Sequence, residues 1–248
     1  MKRIGICVIG ALMAASGAAL ATSTTIGTAT YMGSEYNLIW DDDNNGNSLV
    51  WLDYSAPPAH WPDQMAWAAG LEAQLTYNLD PGCTVTWSDT SWRLPDAGSS
   101  PLYGFQAATQ ELGHLYYDEL GFTGGSSNGG ATAPDLASSV FENLALSAYW
   151  TSTVDDIDYG FFVVEAAWMF AFMETRSTPY NDTVYGFQDI DARGTGMFSP
   201  QHRGLAVRSG EVVTSPQGPM IPEPMTMLAV ACGLAGLGAY TRRDRRMA

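Results

Sequence analysis

Residues 148–173, AYWTSTVDDIDYGFFVVEAAWMFAFM, decide the fold class of this chain. Aromatic and β-branched residues dominate the segment, and polar turns interrupt it. It predicts three β-strands, at residues 148–153, 161–164 and 168–173. Glu165 breaks the apolar run of residues 159–173, so that run is typical of a sheet core and not of a membrane span.

The rest of the body adds two predicted helices and two further strands. Residues 49–52 and 204–208 read as short strands. Pro62 suits a first helical turn, and the apolar spacing that follows predicts a helix ending near Tyr77. A second helix is predicted over residues 106–120. Helices in the first half and strands in the second indicate an α+β domain.

Both ends of the chain have the composition of targeting segments. Residues 1–21 combine a basic start, an apolar stretch and small residues before Ala21, which predicts a signal peptide cleaved after that residue. Residues 22–35 are polar and small, and we predict a lead-in there. The domain is predicted over residues 36–212, with a linker over 213–220.

The C-terminal segment 221–248 has three parts in a fixed order. Pro222, Glu223 and Pro224 precede an apolar run at 225–240, which is followed by an arginine cluster. This tail resembles the PEP-CTERM sorting signal of Gram-negative bacteria that make exopolysaccharide. The resemblance implies transient anchoring in the inner membrane through 225–240, recognition by exosortase (a membrane cysteine protease) and removal of the tail. A plain C-terminal anchor is the alternative.

The charge of the body excludes one large class of partners. The whole chain has a formal net charge of −15, and residues 22–224 alone hold 25 carboxylates against five arginines and no lysine. Such a body repels the phosphates of nucleic acids and an anionic membrane surface. Cys83 is the one cysteine of that body, either as a buried residue or as a thiol for intermolecular pairing.

Several landmarks of the body occur in a familiar order. They are residues 49–54, the helix at 64–75, Ser91-Trp92-Arg93-Leu94-Pro95, Glu111-Leu112, Tyr149-Trp150-Thr151-Ser152-Thr153, residues 168–172 and Gly204-Leu205-Ala206-Val207-Arg208. Together they resemble the Lcl C-terminal domain family over residues 36–212. The resemblance implies a C-type-lectin-like fold, related to that of formylglycine-generating enzymes. Such a fold has two helices and a twisted, mostly antiparallel sheet with long loops.

The landmark residues also have a physical interpretation as structure. Trp51, Trp92 and Trp150 are large enough to anchor a core, and Pro95 can end a strand. Arg93 and Arg208 can each form paired hydrogen bonds with a carboxylate. We therefore expect these residues to build the core, with ligand contact as the alternative.

One acidic segment has the beginning of a calcium loop. Residues 41–47, DDDNNGN, contain Asp-x-Asp-x-Asn-Gly, which offers oxygen ligands at alternate positions and a glycine for the turn. Leu52 stands where a bidentate glutamate belongs, although Asp53 follows directly. The sequence thus predicts a calcium site at Asp41, Asp43, Asn45 and Asp53. A solvated acidic turn that binds no ion is the alternative.

Other polar groups give weaker signals. Glu111, His114 and Asp118 share one face of the second predicted helix, as half of a di-iron arrangement or as a surface stripe. Motifs of hydrolases, phosphate loops and zinc proteases are absent from the sequence, and Cys83 alone cannot supply paired catalytic cysteines. We therefore expect an exported, non-enzymatic protein of the cell surface or extracellular matrix that binds or organises polysaccharide. A structural matrix protein without a ligand, or an unrecognised enzyme, is the alternative.

Overall fold

A computed structural model describes residues 23–105, 107–176, 182–195 and 199–215. The predicted signal peptide with Ala21, and the predicted tail with its motif at 222–224, lie outside these residues. Within the described part there are two short α-helices, α1 at Trp61–Gly70 and α2 at Glu111–His114, and twelve strands. The strands are β1 Thr24–Tyr31, β2 Ser34–Asn44, β3 Asn47–Leu52, β4 Thr76–Leu79, β5 Cys83–Trp87, β6 Gly125–Ser126, β7 Ala148–Asp158, β8 Val163–Ala171, β9 Glu174–Arg176, β10 Asp182–Tyr185, β11 Phe187–Ala192 and β12 Ala206–Thr214.

The largest sheet has six strands in the order β4-β1-β2-β3-β12-β5, and its paired strands are antiparallel. Leu49 and Trp51 of β3 pack on one face, in the core cluster that includes α2. Val50 and Leu52 pack on the other face, with Trp92. Because both faces are covered, β3 is a continuous apolar run rather than an alternating one.

The segment predicted as a lead-in, 22–35, contains a strand of this sheet. β1 pairs with both β2 and β4, and its Ile26 and Ala29 are fully buried. Thr28 and Thr30 are only partly buried and alternate with the buried Ala29 and Tyr31, so this segment of polar and small residues is an alternating strand. The folded body therefore begins at least twelve residues earlier than position 36.

Residues 148–173 supply β7 and β8, and β11 pairs with β8 to complete the antiparallel sheet β11-β8-β7. β8 begins at Val163, so Phe161 and Phe162 belong to the turn and not to the strand predicted at 161–164. α1 covers this sheet, since Ala68 packs in one cluster with Trp150 and Met169. A third small sheet has the order β6-β10-β9.

Both helices are shorter than predicted. α1 ends at Gly70, a 3₁₀ turn follows, and Tyr77 lies in β4 rather than at the end of the helix. α2 spans only four residues, and a π-helical turn continues it over Leu115–Glu119. Three residues of the predicted apolar face are buried, Leu112, Leu115 and Tyr116. The two short helices and the mostly antiparallel sheets make this an α+β fold, with five strands in its first half.

No helix in the described ranges is both long enough and apolar enough to cross a membrane. The apolar run at 225–240 lies outside those ranges.

Candidate functional site

The acidic segment 41–47 forms a β-hairpin. β2 and β3 join through Asn45 and Gly46, which have φ angles of 54° and 83°. Asn-Gly is the preferred sequence of a type I′ turn, whose positive φ angles match the twist of the flanking strands. Asp43 accepts a hydrogen bond from the backbone N–H of Gly46 at 2.9 Å. In the structure, the segment predicted as a calcium loop is a paired hairpin with its own hydrogen bonds.

Asp53 lies beyond the far end of β3 and has a different role. Its carboxylate accepts hydrogen bonds from the backbone N–H groups of Glu142 and Asn143, at 2.8 and 3.0 Å, and from the Asn143 amide at 3.2 Å. Burial raises the pKa of Asp53, although these donors oppose the shift. The four residues predicted to share calcium are Asp41, Asp43, Asn45 and Asp53. The structure does not bring them together.

Asp41 instead lies beside His114, the last residue of α2, and Glu119, the last residue of the π-helical turn that follows. The Asp41 side chain is fully buried. One carboxylate oxygen of Asp41, one of Glu119 and a ring nitrogen of His114 lie within 4.8 Å of one another. His114 Nε2 and Glu119 Oε1 are 3.6 Å apart. We call Asp41, His114 and Glu119 the Asp–His–Glu cluster.

The π-helical turn at Leu115–Glu119 aligns two members of this cluster. The N–H of Leu120 bonds to the carbonyl of Leu115 at 2.9 Å, which is the wider i to i+5 pattern. In an α-helix, residues five apart point about 140° from each other. The wider turn brings His114 and Glu119 to one side. Single π turns of this kind are frequent at functional sites.

In each residue of the Asp–His–Glu cluster, the polar atom that points away from the other two residues, its outer atom, has a partner outside the cluster. Asn44 and the Trp51 indole both donate to Asp41 Oδ2, at 2.8 and 3.2 Å. The Ser23 hydroxyl donates to Glu119 Oε2 at 2.6 Å. Asp118, which is 52% exposed, lies 3.3 Å from His114 Nδ1.

Among the residues that the structure describes, the inner atoms of the same three residues have no hydrogen-bond partner. They are Asp41 Oδ1, His114 Nε2 and Glu119 Oε1, and all three are inaccessible to solvent. An unpaired buried polar atom costs about 1–3 kcal/mol, and more for a charged group. Three such atoms at one point therefore mark a place where a cation or shared protons would be strongly stabilised.

The pKa values at the cluster are displaced by burial and by the facing charges of His114 and Glu119. Burial raises the pKa of Asp41 to about 6, against the opposing hydrogen bond from Asn44. Glu119 raises the pKa of His114 most, with burial opposing. Burial acts to raise the pKa of Glu119, but His114 and Ser23 outweigh it and lower the value. Glu119 also lines a surface pocket of about 210 Å³.

The glutamate of the predicted surface stripe is a structural partner of Arg93. Two guanidinium N–H groups of Arg93 donate to the two oxygens of Glu111, each at 2.7 Å. The N–H of Asp96 adds a third bond to Glu111 at 2.6 Å. The carbonyl of Pro95 accepts from the N–H of Ser152 at 2.8 Å. The Trp-Arg-Leu-Pro segment thus ties α2 to β7.

The three landmark tryptophans are fully buried. Each indole N–H has a specific acceptor: Trp51 donates to Asp41, Trp92 to Tyr77 and Trp150 to Ala59. Buried indoles normally find such a partner. These rings therefore serve the core and are not presented to a ligand.

Arg208 is also part of the core. Its guanidinium lies 4.5 Å from the centre of the Trp87 ring and donates to the carbonyl of Asp89 at 3.0 Å. Glu72 accepts another of its N–H groups. A cation–π contact with Trp87 and an ion pair with the partly exposed Glu72 together hold the beginning of β12 in place.

The β7–β8 turn exposes a group of aromatic side chains, Tyr159, Phe161 and Phe162. Phe161 is 95% exposed, and its two neighbours are more than half exposed. The rings of Tyr159 and Phe162 stack, with centres 5.1 Å apart and planes at 29°. The N–H of Tyr159 bonds to the carbonyl of Phe162 at 3.0 Å and closes the turn. We call Tyr159–Val163 the aromatic tip.

The sequence analysis predicted neither the Asp–His–Glu cluster nor the aromatic tip, and each omission has a physical reason. Glu119 follows His114 by five residues, a spacing that an α-helix would not place on one side, and only the π turn does so. The Phe161-Phe162 pair reads as part of a buried strand because its composition is that of one. An Asp-Tyr-Gly turn signal at 158–160 was the available warning.

Comparisons of the chain with family models, with curated proteins and with solved structures find no match.

Proposed function

We propose that this chain is an exported protein of the cell surface or extracellular matrix that binds neutral polysaccharide through the aromatic tip. The observation that carries the proposal is the exposure of three adjacent aromatic rings on one hairpin. Isolated exposed apolar residues are ordinary on a protein surface, whereas a contiguous group favours an interaction site. Flat aromatic faces suit the C–H faces of sugar rings.

The carboxylates beside the tip support a sugar ligand. Asp155, Asp156 and Asp158 are exposed or nearly so along the end of β7. Carboxylate oxygens accept hydrogen bonds from hydroxyl groups, of which a sugar offers several in fixed directions. A protein surface rich in aromatic rings and acceptors matches a neutral polyol better than it matches an apolar peptide.

The charge of the body supports neutral rather than acidic polysaccharide. Residues 22–224 hold five arginines. Arg93 and Arg208 are committed to Glu111 and Glu72, as described above. Arg193 lies 3.3 Å from Glu165 and over the Trp61 ring. An acidic polymer would meet uncompensated carboxylates at the tip, and like charges there are repulsive.

The remaining parts of the proposal rest on the two resemblances. We propose a C-type-lectin-like body, which is supported by two short helices and mostly antiparallel sheets. We also propose PEP-CTERM sorting, with cleavage of the tail by exosortase. Catalysis is not part of the proposal.

A double substitution at the tip tests the binding function. Phe161→Ala with Phe162→Ala should weaken binding to a neutral glucan or mannan by about tenfold or more, because each stacked ring contributes roughly 1 kcal/mol. Its melting temperature should stay within about 1 °C of wild type, since the rings are exposed. Affinity electrophoresis against neutral polysaccharides and alginate provides the measurement.

Tyr103→Ala is the matched control. Tyr103 is also an exposed aromatic residue, but it packs on Phe187, which pairs with Ala171 at the opposite end of β8. It should bind as wild type does. Equal binding by the double variant, or equal loss in Tyr103→Ala, would argue against the tip. If the wild-type protein binds none of the neutral polysaccharides, that result would instead favour the alternative function, a structural matrix protein without a ligand.

The sorting proposal has its own test. Replacement of Pro222, Glu223 and Pro224 by alanine should leave a membrane-held precursor that keeps residues 225–248. Intact-mass measurement of the wild-type and substituted proteins from a strain with an exosortase would show the difference. Equal masses and equal release would contradict it.

A further inference from the structure

We propose that Asp41 Oδ1, His114 Nε2 and Glu119 Oε1 bind one divalent transition-metal ion, with Zn²⁺ as the best match. A ring nitrogen of His114 and one carboxylate oxygen each of Asp41 and Glu119 lie within 4.8 Å of one another, and the three inner atoms are buried without a hydrogen-bond partner in the described part of the chain. This site lies in β2 and around α2, away from the aromatic tip. It is therefore independent of the proposed polysaccharide binding, and either proposal can fail alone.

The spacing of the atoms fits a metal ion better than a hydrogen-bond network. His114 Nε2 and Glu119 Oε1 are 3.6 Å apart, beyond the range of a good N–H···O bond. Ligands at about 2.0–2.1 Å from a tetrahedral zinc ion are separated from one another by about 3.4 Å. The observed separation thus needs a few tenths of an ångström of adjustment to become one edge of such a site.

The outer contacts prepare each ligand for coordination. Asp118 beside Nδ1 of His114 favours a proton on that nitrogen, which leaves the lone pair of Nε2 directed at the cluster. Asn44 and Trp51 occupy Oδ2 of Asp41, and Ser23 occupies Oε2 of Glu119. One oxygen of each carboxylate therefore remains for the metal. Outer partners of this kind orient and tune the ligands of known metal sites.

Charge balance points to a divalent ion. Two ionised carboxylates in a solvent-free space repel each other and are strongly disfavoured without a cation. One divalent ion with two carboxylates and a neutral imidazole is electrically neutral.

The type of donor selects among the divalent ions. Calcium prefers six to eight oxygen ligands, whereas this cluster offers two carboxylates and a nitrogen. Imidazole with carboxylate is a common donor set for zinc. Three protein ligands leave a fourth position for water or another ligand, and the pocket lined by Glu119 and Ser23 offers an entry path.

The test uses the full chain, purified in mild detergent, stripped with a chelator and titrated with ZnCl₂ against a chromophoric competitor. We expect one zinc ion per chain, with a dissociation constant on the order of 1 µM or tighter. Zinc should also raise the melting temperature by several degrees, because it binds the folded state. MnCl₂ should bind more weakly than ZnCl₂, and CaCl₂ should not compete at equal concentration.

Four substitutions locate the ion. Asp41→Asn and Glu119→Gln keep the shape of the side chain, remove a buried charge, and should each weaken zinc binding by at least about 100-fold. Asp118→Asn removes only the outer partner of His114 and should weaken it by about tenfold. Asp43→Asn is the matched control, since it removes one carboxylate from the same hairpin at an exposed position, and it should bind as wild type does.

Melting of the metal-free proteins separates loss of the site from loss of the fold. Metal-free Asp41→Asn should melt no lower than metal-free wild type, because it relieves repulsion between the two carboxylates. Metal-free Glu119→Gln should melt somewhat lower, because it loses the attraction to His114 that lowers the pKa of Glu119, and its zinc affinity is therefore measured at a temperature at which it is folded. The proposal is overturned if wild type binds no stoichiometric zinc, if calcium displaces it, or if the Asp43→Asn control loses zinc as Glu119→Gln does. Unfolding of Asp41→Asn alone leaves Glu119→Gln and Asp118→Asn to decide the question.

Discussion

Replacing Trp92 with alanine should lower the free energy of unfolding by roughly 3–5 kcal/mol. The ring is 1% exposed and packs under the six-stranded sheet, in the cluster that holds Leu38 and Leu71. Its N–H donates to the Tyr77 hydroxyl at 2.8 Å, and truncation would leave that hydroxyl only the longer bond from Arg208, at 3.3 Å. A loss of this size is a large share of the stability of an ordinary domain. Denaturant unfolding followed by tryptophan fluorescence would measure it.

Two variants separate the contributions to this loss. Trp92→Phe keeps most of the buried area and loses the hydrogen bond, so it should cost about 1–2 kcal/mol. Phe161→Ala removes an aromatic ring that is almost fully exposed, and it should change stability by less than about 0.5 kcal/mol. Equal effects of Trp92→Ala and Phe161→Ala would mean that the Trp92 ring is not part of the core.

Of the two glycines in the described α-helices, Gly113 should be the one at which an added methyl group, as in Gly113→Ala, destabilises the protein. A Cβ at Gly113 would lie 1.8 Å from the carbonyl oxygen of Ala107 and 2.5 Å from its carbon. Both atoms belong to the backbone, so no side-chain rotation relieves the overlap. We expect a loss of roughly 3 kcal/mol or more in the free energy of unfolding, measured by denaturant titration.

Gly70→Ala is the matched control, because Gly70 ends the other helix. A Cβ there meets only the end of the Gln74 side chain, at 3.3 Å. Replacement should stabilise the protein by about 0.5–1 kcal/mol, since alanine loses less backbone entropy than glycine. If Gly113→Ala did not lower the free energy of unfolding, the backbone of Ala107 would not lie in close contact with Gly113.

The contact at Gly113 also explains why the second helix could not be predicted correctly. A periodic apolar pattern across residues 106–120 favours one long helix. The backbone at Ala107 folds back against Gly113 instead, and α2 begins only at Glu111. That close approach depends on the packing of the turn, and the sequence signals only that a glycine is available there.

A strand could be predicted from the sequence where the pattern of residues is compatible with only one structure. Residues 49–52 are apolar throughout, and they form a strand covered on both faces. At 41–47 two meanings competed: alternating oxygen ligands suggested a calcium loop, whereas Asn45-Gly46 favoured a hairpin. Strand pairing on both sides of β2 and β3 decides for the hairpin.

The Asp–His–Glu cluster lay beyond prediction because it combines distant positions. Asp41 belongs to β2, and His114 with Glu119 follows more than 70 residues later. No local pattern announces that meeting, which depends on the hairpin and on the π turn together. The sequence did single out Asp41 and His114, and it placed His114 on one face with Asp118, which lies beside it. It did not join Asp41 and His114 to each other or to Glu119.

The position of β12 in the large sheet sets the order of events during folding. β12 lies between β3 and β5 and pairs Ala206 with Leu52 and Val212 with Val85, so the sheet is joined by contacts of very high sequence separation. Such topologies fold slowly, in milliseconds to seconds, because a long loop must close before the pairing is rewarded. Until β12 arrives, β3 presents an unpaired edge with four consecutive apolar residues, which is a template for pairing with another chain. The nascent protein is therefore most prone to aggregate between the synthesis of β3 and that of β12, and holding the chain extended through that interval favours a correct fold.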